Sequence, residues 1–234
     1  MDKIKLYTFP YAGGNSNIFR PWKRQLNSLI ELHPVELAGR GIRMSDPMRN
    51  SIQETVDDLE NLFVQNNSNY ALFGHSMGTL IIFELLSLMR KKNIKPPLHV
   101  FFSGRKAPHL NTDDEKKYHL MDNEQFRKEV IKLGGTPVEI FDDPELADLF
   151  LPVLKNDFKI CETYMPHIPD HKYDMNFSVL AGLDEGYLDE ELTAYGDFTT
   201  GETTVHYFQG GHFFIKESEK DVVDFINRTL LKYR

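Results

Sequence analysis

Two periods of hydrophobic patterning run along the chain. Short apolar or alternating runs with strand character fall at Lys3–Phe9, Leu32–Leu37, Tyr70–Phe73, His99–Ser103, Phe177–Ala181 and Thr204–Phe208. Between them, apolar residues recur every three or four positions, the spacing of one helix face, in Ile18–Leu29, Ser51–Gln65 and Asp221–Leu231. The stripe in the second of these is Ile52, Val56, Leu59, Leu62 and Phe63, and Ser51 with Glu54 forms a capping-box pattern at its start. Thr79–Met89 is apolar nearly all round, which places that helix inside a core. Strands alternating with helices predict an α/β fold: one domain over residues 1–234, with a mainly parallel central sheet and helices on both faces.

Residues 108–171 break the rhythm, with no clear strand. They hold helical patterns at Asp122–Leu133, Pro144–Phe150 and Val153–Tyr164, separated by Gly134-Gly135-Thr136-Pro137 and Asp142-Asp143-Pro144. An insertion this long exceeds an ordinary connection and predicts a helical lid over the C-terminal edge of the sheet. Phe126, Leu133, Phe150 and Leu154 could line a chamber beneath it, although packing within the lid is the simpler expectation.

Bulk properties narrow the function classes. A chain of 234 residues can bury one large core. Its net charge of −8 argues against a general nucleic-acid binder. No apolar run is long enough to span a membrane, and Met1-Asp2-Lys3-Ile4-Lys5-Leu6 lacks the apolar segment of a secretion signal. The single cysteine, Cys161, cannot form an internal disulfide, which suits a reducing cytoplasm, and is expected to be a small packed side chain. No metal-ligand spacing is present, so neither metal nor bound cofactor is expected. The basic run Arg90-Lys91-Lys92 with Lys95 reads as a solvated helix end. A monomer is expected.

The chemistry concentrates at turns that follow strands. Gly74-x-Ser76-x-Gly78 follows a strand and opens a buried helix, the context of a nucleophile elbow. Ser76 is therefore the candidate nucleophile, with His75 beside it as an orienting or packing residue. Met77 N–H, at the helix start, is a candidate oxyanion donor. The order nucleophile, acid, histidine is that of the α/β-hydrolase fold. Among the histidines after Ser76, only His212 lies in a loop just past the last strand, where Gly210 and Gly211 allow a tight bend. Past the preceding strand lies Gly182-Leu183-Asp184-Glu185-Gly186. Asp184 and Glu185 both remain candidates for the acid, and Asp184 has the shorter, more easily positioned side chain. The loop Pro10-Tyr11-Ala12-Gly13-Gly14 would supply the second oxyanion N–H, from Ala12 first and Tyr11 second.

Six motifs in one order carry a family likeness. Phe9–Gly14, Glu36-Leu37-Ala38-Gly39-Arg40-Gly41-Ile42-Arg43, Phe73–Gly78, Ser103-Gly104-Arg105-Lys106-Ala107-Pro108-His109, Leu133–Pro137 and Gly210-Gly211-His212-Phe213 resemble the discrete type II thioesterases of nonribosomal peptide and polyketide synthesis. The likeness covers nearly the whole chain. It implies an enzyme acting in trans on the phosphopantetheine arm of acyl or peptidyl carrier protein domains, removing wrong or stalled acyl groups. It carries Ser76, His212 and an acid after Gly182 over as a triad, with Ala12 and Met77 as oxyanion donors. The family's usual Asp three residues after the strand-end glycine is Glu185 here, and Ala38 stands where relatives often have proline. Two other enzymes on the same fold, a carboxylesterase and an acyltransferase, remain alternatives, as does a non-catalytic carrier-binding relative.

Overall fold

The computed structural model describes residues 3–64, 66, 68–110, 116–135 and 139–234. Gln65, at the end of one predicted helix, and Thr136 and Pro137 of the Leu133–Pro137 motif lie outside the described residues. Six strands form one sheet: β1 (Ile4–Phe9), β2 (Ile30–Pro34), β3 (Tyr70–His75), β4 (His99–Ser103), β5 (Asn176–Gly182) and β6 (Thr203–Phe208). Their order is β2-β1-β3-β4-β5-β6, and every neighbouring pair is parallel. Successive strand residues point to opposite faces. Thus Tyr7, Leu72, Val100 and Val179 join one core, while Leu6, Phe73, Phe101 and Leu180 join the other. Both cores are apolar, which is why these strands read as continuous apolar runs.

The first core is closed by α1 (Ile52–Leu59) and α2 (Met77–Lys91), and every residue of α2 from Met77 to Met89 is buried. Ser51 Oγ caps α1 by accepting the Glu54 N–H at 3.1 Å. The amphipathic start of Ile18–Leu29 forms a 3₁₀ helix, Ser16–Arg24, rather than an α-helix. Its two buried residues, Phe19 and Trp22, are three apart and so share a face at three residues per turn. At the basic run, Lys92 pairs with Glu60 at 2.6 Å.

Between β4 and β5 lie α3 (Asn123–Leu133), α4 (Glu139–Asp142) and α5 (Pro144–Glu162). The break expected between Phe150 and Val153 is absent, because α5 runs straight through Pro152. Proline there removes one intrahelical donor. Burial of Leu151 and Leu154 on either side holds the helix together. Asp143 caps α5, with Pro144 at the first helical position. Phe126, Val130, Leu151 and Leu154 make a small third core between α3 and α5. The chain closes with α6 (Asp189–Thr193), α7 (Phe214–Glu217) and α8 (Glu219–Leu230). Among the described residues no helix is long and apolar enough to cross a membrane.

Candidate active site

Ser76 sits between β3 and α2 with φ 54° and ψ −110°, in the positive-φ half of conformational space where a residue with a side chain is strained. Its backbone N–H donates to the Ser103 carbonyl at 2.7 Å, which pins the turn to β4. The flanking glycines are sterically required. A Cβ on Gly74 would stand 2.4 Å from the Gly78 carbonyl oxygen, and one on Gly78 would stand 2.4 Å from that of Phe9. The start of α2 therefore presses against the end of β1, bringing the Met77 N–H and the loop after β1 together. Met77 opens α2, so its N–H has no intrahelical acceptor.

Across the sheet edge, the loop after β6 carries His212. Its Nδ1 lies 2.6 Å from Glu185 Oε1. The Glu185 side chain is 3% exposed, and its other oxygen accepts the Gly182 N–H at 2.7 Å. One carboxylate thus holds both the imidazole and its own turn. Asp184 is not brought to the histidine. It is exposed, its backbone N–H donates to the Gly210 carbonyl at 3.1 Å, and the turn directs Glu185 inward instead. The expectation that the shorter Asp184 would be easier to position is corrected by this turn. The site also requires Gly182, since a Cβ there would lie 2.4 Å from the Gly211 carbonyl oxygen.

His75 links the elbow to the histidine loop. Its Nε2 lies 2.8 Å from the His212 carbonyl oxygen and its Nδ1 lies 2.9 Å from Ser103 Oγ. A carbonyl only accepts, so Nε2 carries the proton and Nδ1 accepts from the serine hydroxyl. Burial first, and then the nearby His212, hold the His75 pKa well below the usual histidine value, so the ring is neutral. It orients the backbone of His212.

Ser76, His212, Tyr11 and Ala12 line one cavity of about 480 Å³. The insertion supplies its apolar wall through Val130, Leu133, Leu154 and Phe158. Of the four apolar lid residues singled out in the sequence, Leu133 and Leu154 face this cavity. Phe126 is buried in the third core and Phe150 packs against that core. Cys161 also lines the cavity, and burial pushes its thiol pKa up to about 12, so it stays protonated. Several other late histidines have their own partners: His206 meets Thr204 Oγ1, His119 meets Glu162, His109 faces Asp197 and His171 meets Asp170.

Two residues not singled out one by one in the sequence join the site. Arg40, in the loop after β2, and Asp157, on α5, form a buried ion pair that touches the Gly13–Gly14 turn. A signal for Asp157 did exist: it is a lone acid on the apolar stripe of Val153, Leu154, Ile160 and Cys161.

A parallel sheet with a left-handed serine at its central strand-to-helix turn, sharing a cavity with a carboxylate-held histidine, is the arrangement of a serine hydrolase of the α/β-hydrolase fold. The family model described as "Thioesterase domain" matches residues 4–230, so the chain belongs to the thioesterase family. It is similar to "Linear gramicidin dehydrogenase LgrE" of Brevibacillus parabrevis, at 35% identity over 99% of this chain and 89% of the relative. The solved structure of ClbQ from the colibactin NRPS/PKS pathway superposes with a TM-score of 0.92 at 33% identity, covering 99% of this chain and 98% of that one. YbtT, a type II thioesterase from the yersiniabactin NRPS/PKS pathway, superposes with a TM-score of 0.83 at 27% identity, over 97% and 92% of the two chains. The chain belongs with the type II thioesterases of NRPS/PKS pathways. The dehydrogenase in the first name finds no support in the loop after β1. That loop has adjacent glycines rather than the spaced set that seats a dinucleotide, and its Gly13 N–H is already bonded to Asp157.

Proposed function

We propose that this thioesterase frees acyl groups from the phosphopantetheine arm of carrier protein domains in nonribosomal peptide or polyketide synthesis, by covalent catalysis at Ser76. The observation that carries the reading is the 2.6 Å His212–Glu185 contact in the same cavity as Ser76. Glu185 holds the Nδ1–H of His212 and leaves Nε2 as the base. That nitrogen takes the proton of Ser76 Oγ as the oxygen attacks the thioester carbonyl. The N–H groups of Met77 and Ala12 receive the tetrahedral oxyanion. The pantetheine thiol leaves with the proton from His212. Water, deprotonated by His212, then attacks the acyl-serine; the acyl–Oγ bond breaks, His212 returns the proton to Ser76 Oγ, and the acid is released. The triad roles of Ser76, His212 and Glu185 rest on this geometry together with the family membership.

Helices α3 and α5 act as the lid over the acyl group, since their apolar residues form the cavity wall opposite the sheet edge. A chain with one cysteine and no disulfide suits a cytoplasmic enzyme that meets its carrier partner there. The pantetheine belongs to the substrate, and the mechanism uses no metal or resident cofactor.

The test is hydrolysis of acetyl- and propionyl-carrier protein by the wild type and by Ser76→Ala. Turnover is expected to fall by roughly 10³-fold or more in the variant, with fluorophosphonate labelling lost. Wild-type rates in Ser76→Ala would remove the serine from the mechanism. Faster turnover of simple aryl esters than of acyl-carrier would favour a general carboxylesterase.

A further inference from the structure

The loop that holds Ala12 is only partly self-supporting. Within it, the Gly14 N–H donates to the Tyr11 carbonyl at 2.9 Å. The Tyr11 carbonyl and the Ala12 N–H belong to one peptide plane and point in opposite directions. Fixing that carbonyl therefore aims the Ala12 N–H away from the turn. The other polar groups of the turn are held from outside. The Gly13 N–H donates to Asp157 Oδ2 at 2.7 Å, and the Gly14 carbonyl accepts from Arg40 Nη1 at 3.1 Å. Arg40 and Asp157 in turn meet in a two-armed pair at 2.5 and 2.7 Å, with side chains 9% and 1% exposed.

Asp157 reaches the loop from α5, the helix whose Leu154 and Phe158 line the cavity. The packing is equally direct: a Cβ on Gly13, at φ +76°, would stand 2.5 Å from Leu154 Cδ1 and 3.1 Å from Phe150 Cζ. One helix thus both walls the acyl chamber and grips the turn beside Ala12. Lifting α5 by an ångström or two would strip the Gly13 N–H of its acceptor and leave Arg40 facing the turn alone.

We infer that Asp157 and Arg40 are positioning residues that make the oxyanion-binding geometry of the loop conditional on α5 being seated. The inference rests on the proposed role of the Ala12 N–H. Its consequence is that the insertion does more than cover substrate: the site becomes competent only when the helix that encloses the acyl group is in place. An empty, open chamber would hold its oxyanion donor misaligned, which suits an enzyme that must leave correctly loaded carriers alone until they dwell in it.

The decisive variant removes both charges, Asp157→Leu with Arg40→Met. Replacing a buried ion pair as a unit by apolar residues of similar size is often neutral for folding, whereas removing one partner strands a buried charge. Two pantetheine analogues report on the site. A trifluoromethyl ketone adds to Ser76 and places a charged oxygen in the oxyanion site, while a thioether fills the same chamber without one. In the double variant, kcat/KM and affinity for the ketone are expected to fall together by about 10- to 100-fold, the scale of a misplaced oxyanion donor. Thioether affinity should stay within about threefold, because ground-state binding does not use the donor. Asp157→Asn, which keeps an acceptor for the Gly13 N–H, should lose less on both measures, and it decides the question if the double variant does not fold. Wild-type ketone affinity in the folded double variant overturns the inference. So does an equal loss of ketone and thioether binding, which would mean the pair shapes the chamber and not the loop. If the hydrolase reading itself is wrong, the wild type will fail to bind the ketone, an outcome distinct from a variant-specific loss.

Discussion

The sheet-edge wall of the cavity is held by backbone, whereas the helical wall is held by side chains. On the sheet side, Ser76 and Glu185 are fixed by hydrogen bonds to the backbone of Ser103 and Gly182, the loop before His212 is tied in by the Asp184 N–H donating to the Gly210 carbonyl, and glycines admit no Cβ. His75 ties two of these turns together. On the helical side, α3 and α5 share a small apolar core of their own. Beyond packing, α5 is joined to the rest by the Asp157–Arg40 pair and by Asn156, whose amide donates to the Arg49 carbonyl at 2.8 Å. Just past its end, Tyr164 donates to Glu84 at 2.6 Å. The difference teaches a division of labour. The wall that carries the proposed triad is rigid by construction, and the wall proposed to meet the acyl group is attached at a few points.

The largest expected effect comes from the rigid wall. Glu185→Gln keeps the shape of the side chain but can no longer anchor the Nδ1–H tautomer with a charge, and should lower kcat by about 10³- to 10⁴-fold with little change in thermal stability. A loss under tenfold would show that the carboxylate is not the partner that matters. Next is the helical wall. Phe126→Ala empties the third core and should destabilise by about 3–5 kcal/mol, expressed locally. Hydrogen exchange should then rise in α3 and α5 while β3 and β4 stay protected. Uniform loss of protection would erase the distinction between the two walls.

A smaller effect tests the sheet through pH. Burial is the chief cause that lowers the His99 pKa from 6.5 to about 4, with Lys232 and His206 contributing. The folded state therefore binds fewer protons than the unfolded one in that interval, so stability is lost as pH falls from 6.5 towards 4. The full interval corresponds to about 3 kcal/mol. His99→Gln should flatten the acid limb of a denaturation series by about that amount, and an unchanged limb would assign acid sensitivity elsewhere. The smallest expectation is for Asp184→Asn, which should leave kcat/KM within about twofold because that carboxylate faces solvent. A large loss there would reverse the assignment of the acid.

Much of the first wall was legible in the residues. Gly74, Ser76 and Gly78 after an apolar run, and His212 in a loop after the last strand, announce themselves because their chemistry depends on local turns. The residue types alone left Asp184 and Glu185 open, and only the family spacing favoured position 185, since one residue along a tight turn reverses which side chain points inward. The continuity of α5 through Pro152 was also hidden, because proline lowers helix propensity locally while burial of Leu151 and Leu154 outweighs it. Arg40 and Asp157 lie 117 positions apart, and nothing in either neighbourhood names the other.

By itself, then, the order of residues determined the alternation of strands and helices, the apolar faces of the sheet, the strained turn at Ser76 and the thioesterase motifs. These depend on short-range periodicity and on which residues tolerate unusual backbone angles. Only the tertiary structure decided which carboxylate holds His212, that His75 is neutral and binds the His212 carbonyl, and that a helix of the insertion grips the turn beside Ala12. Those outcomes depend on distances between segments remote in sequence, where an ångström determines whether a hydrogen bond exists.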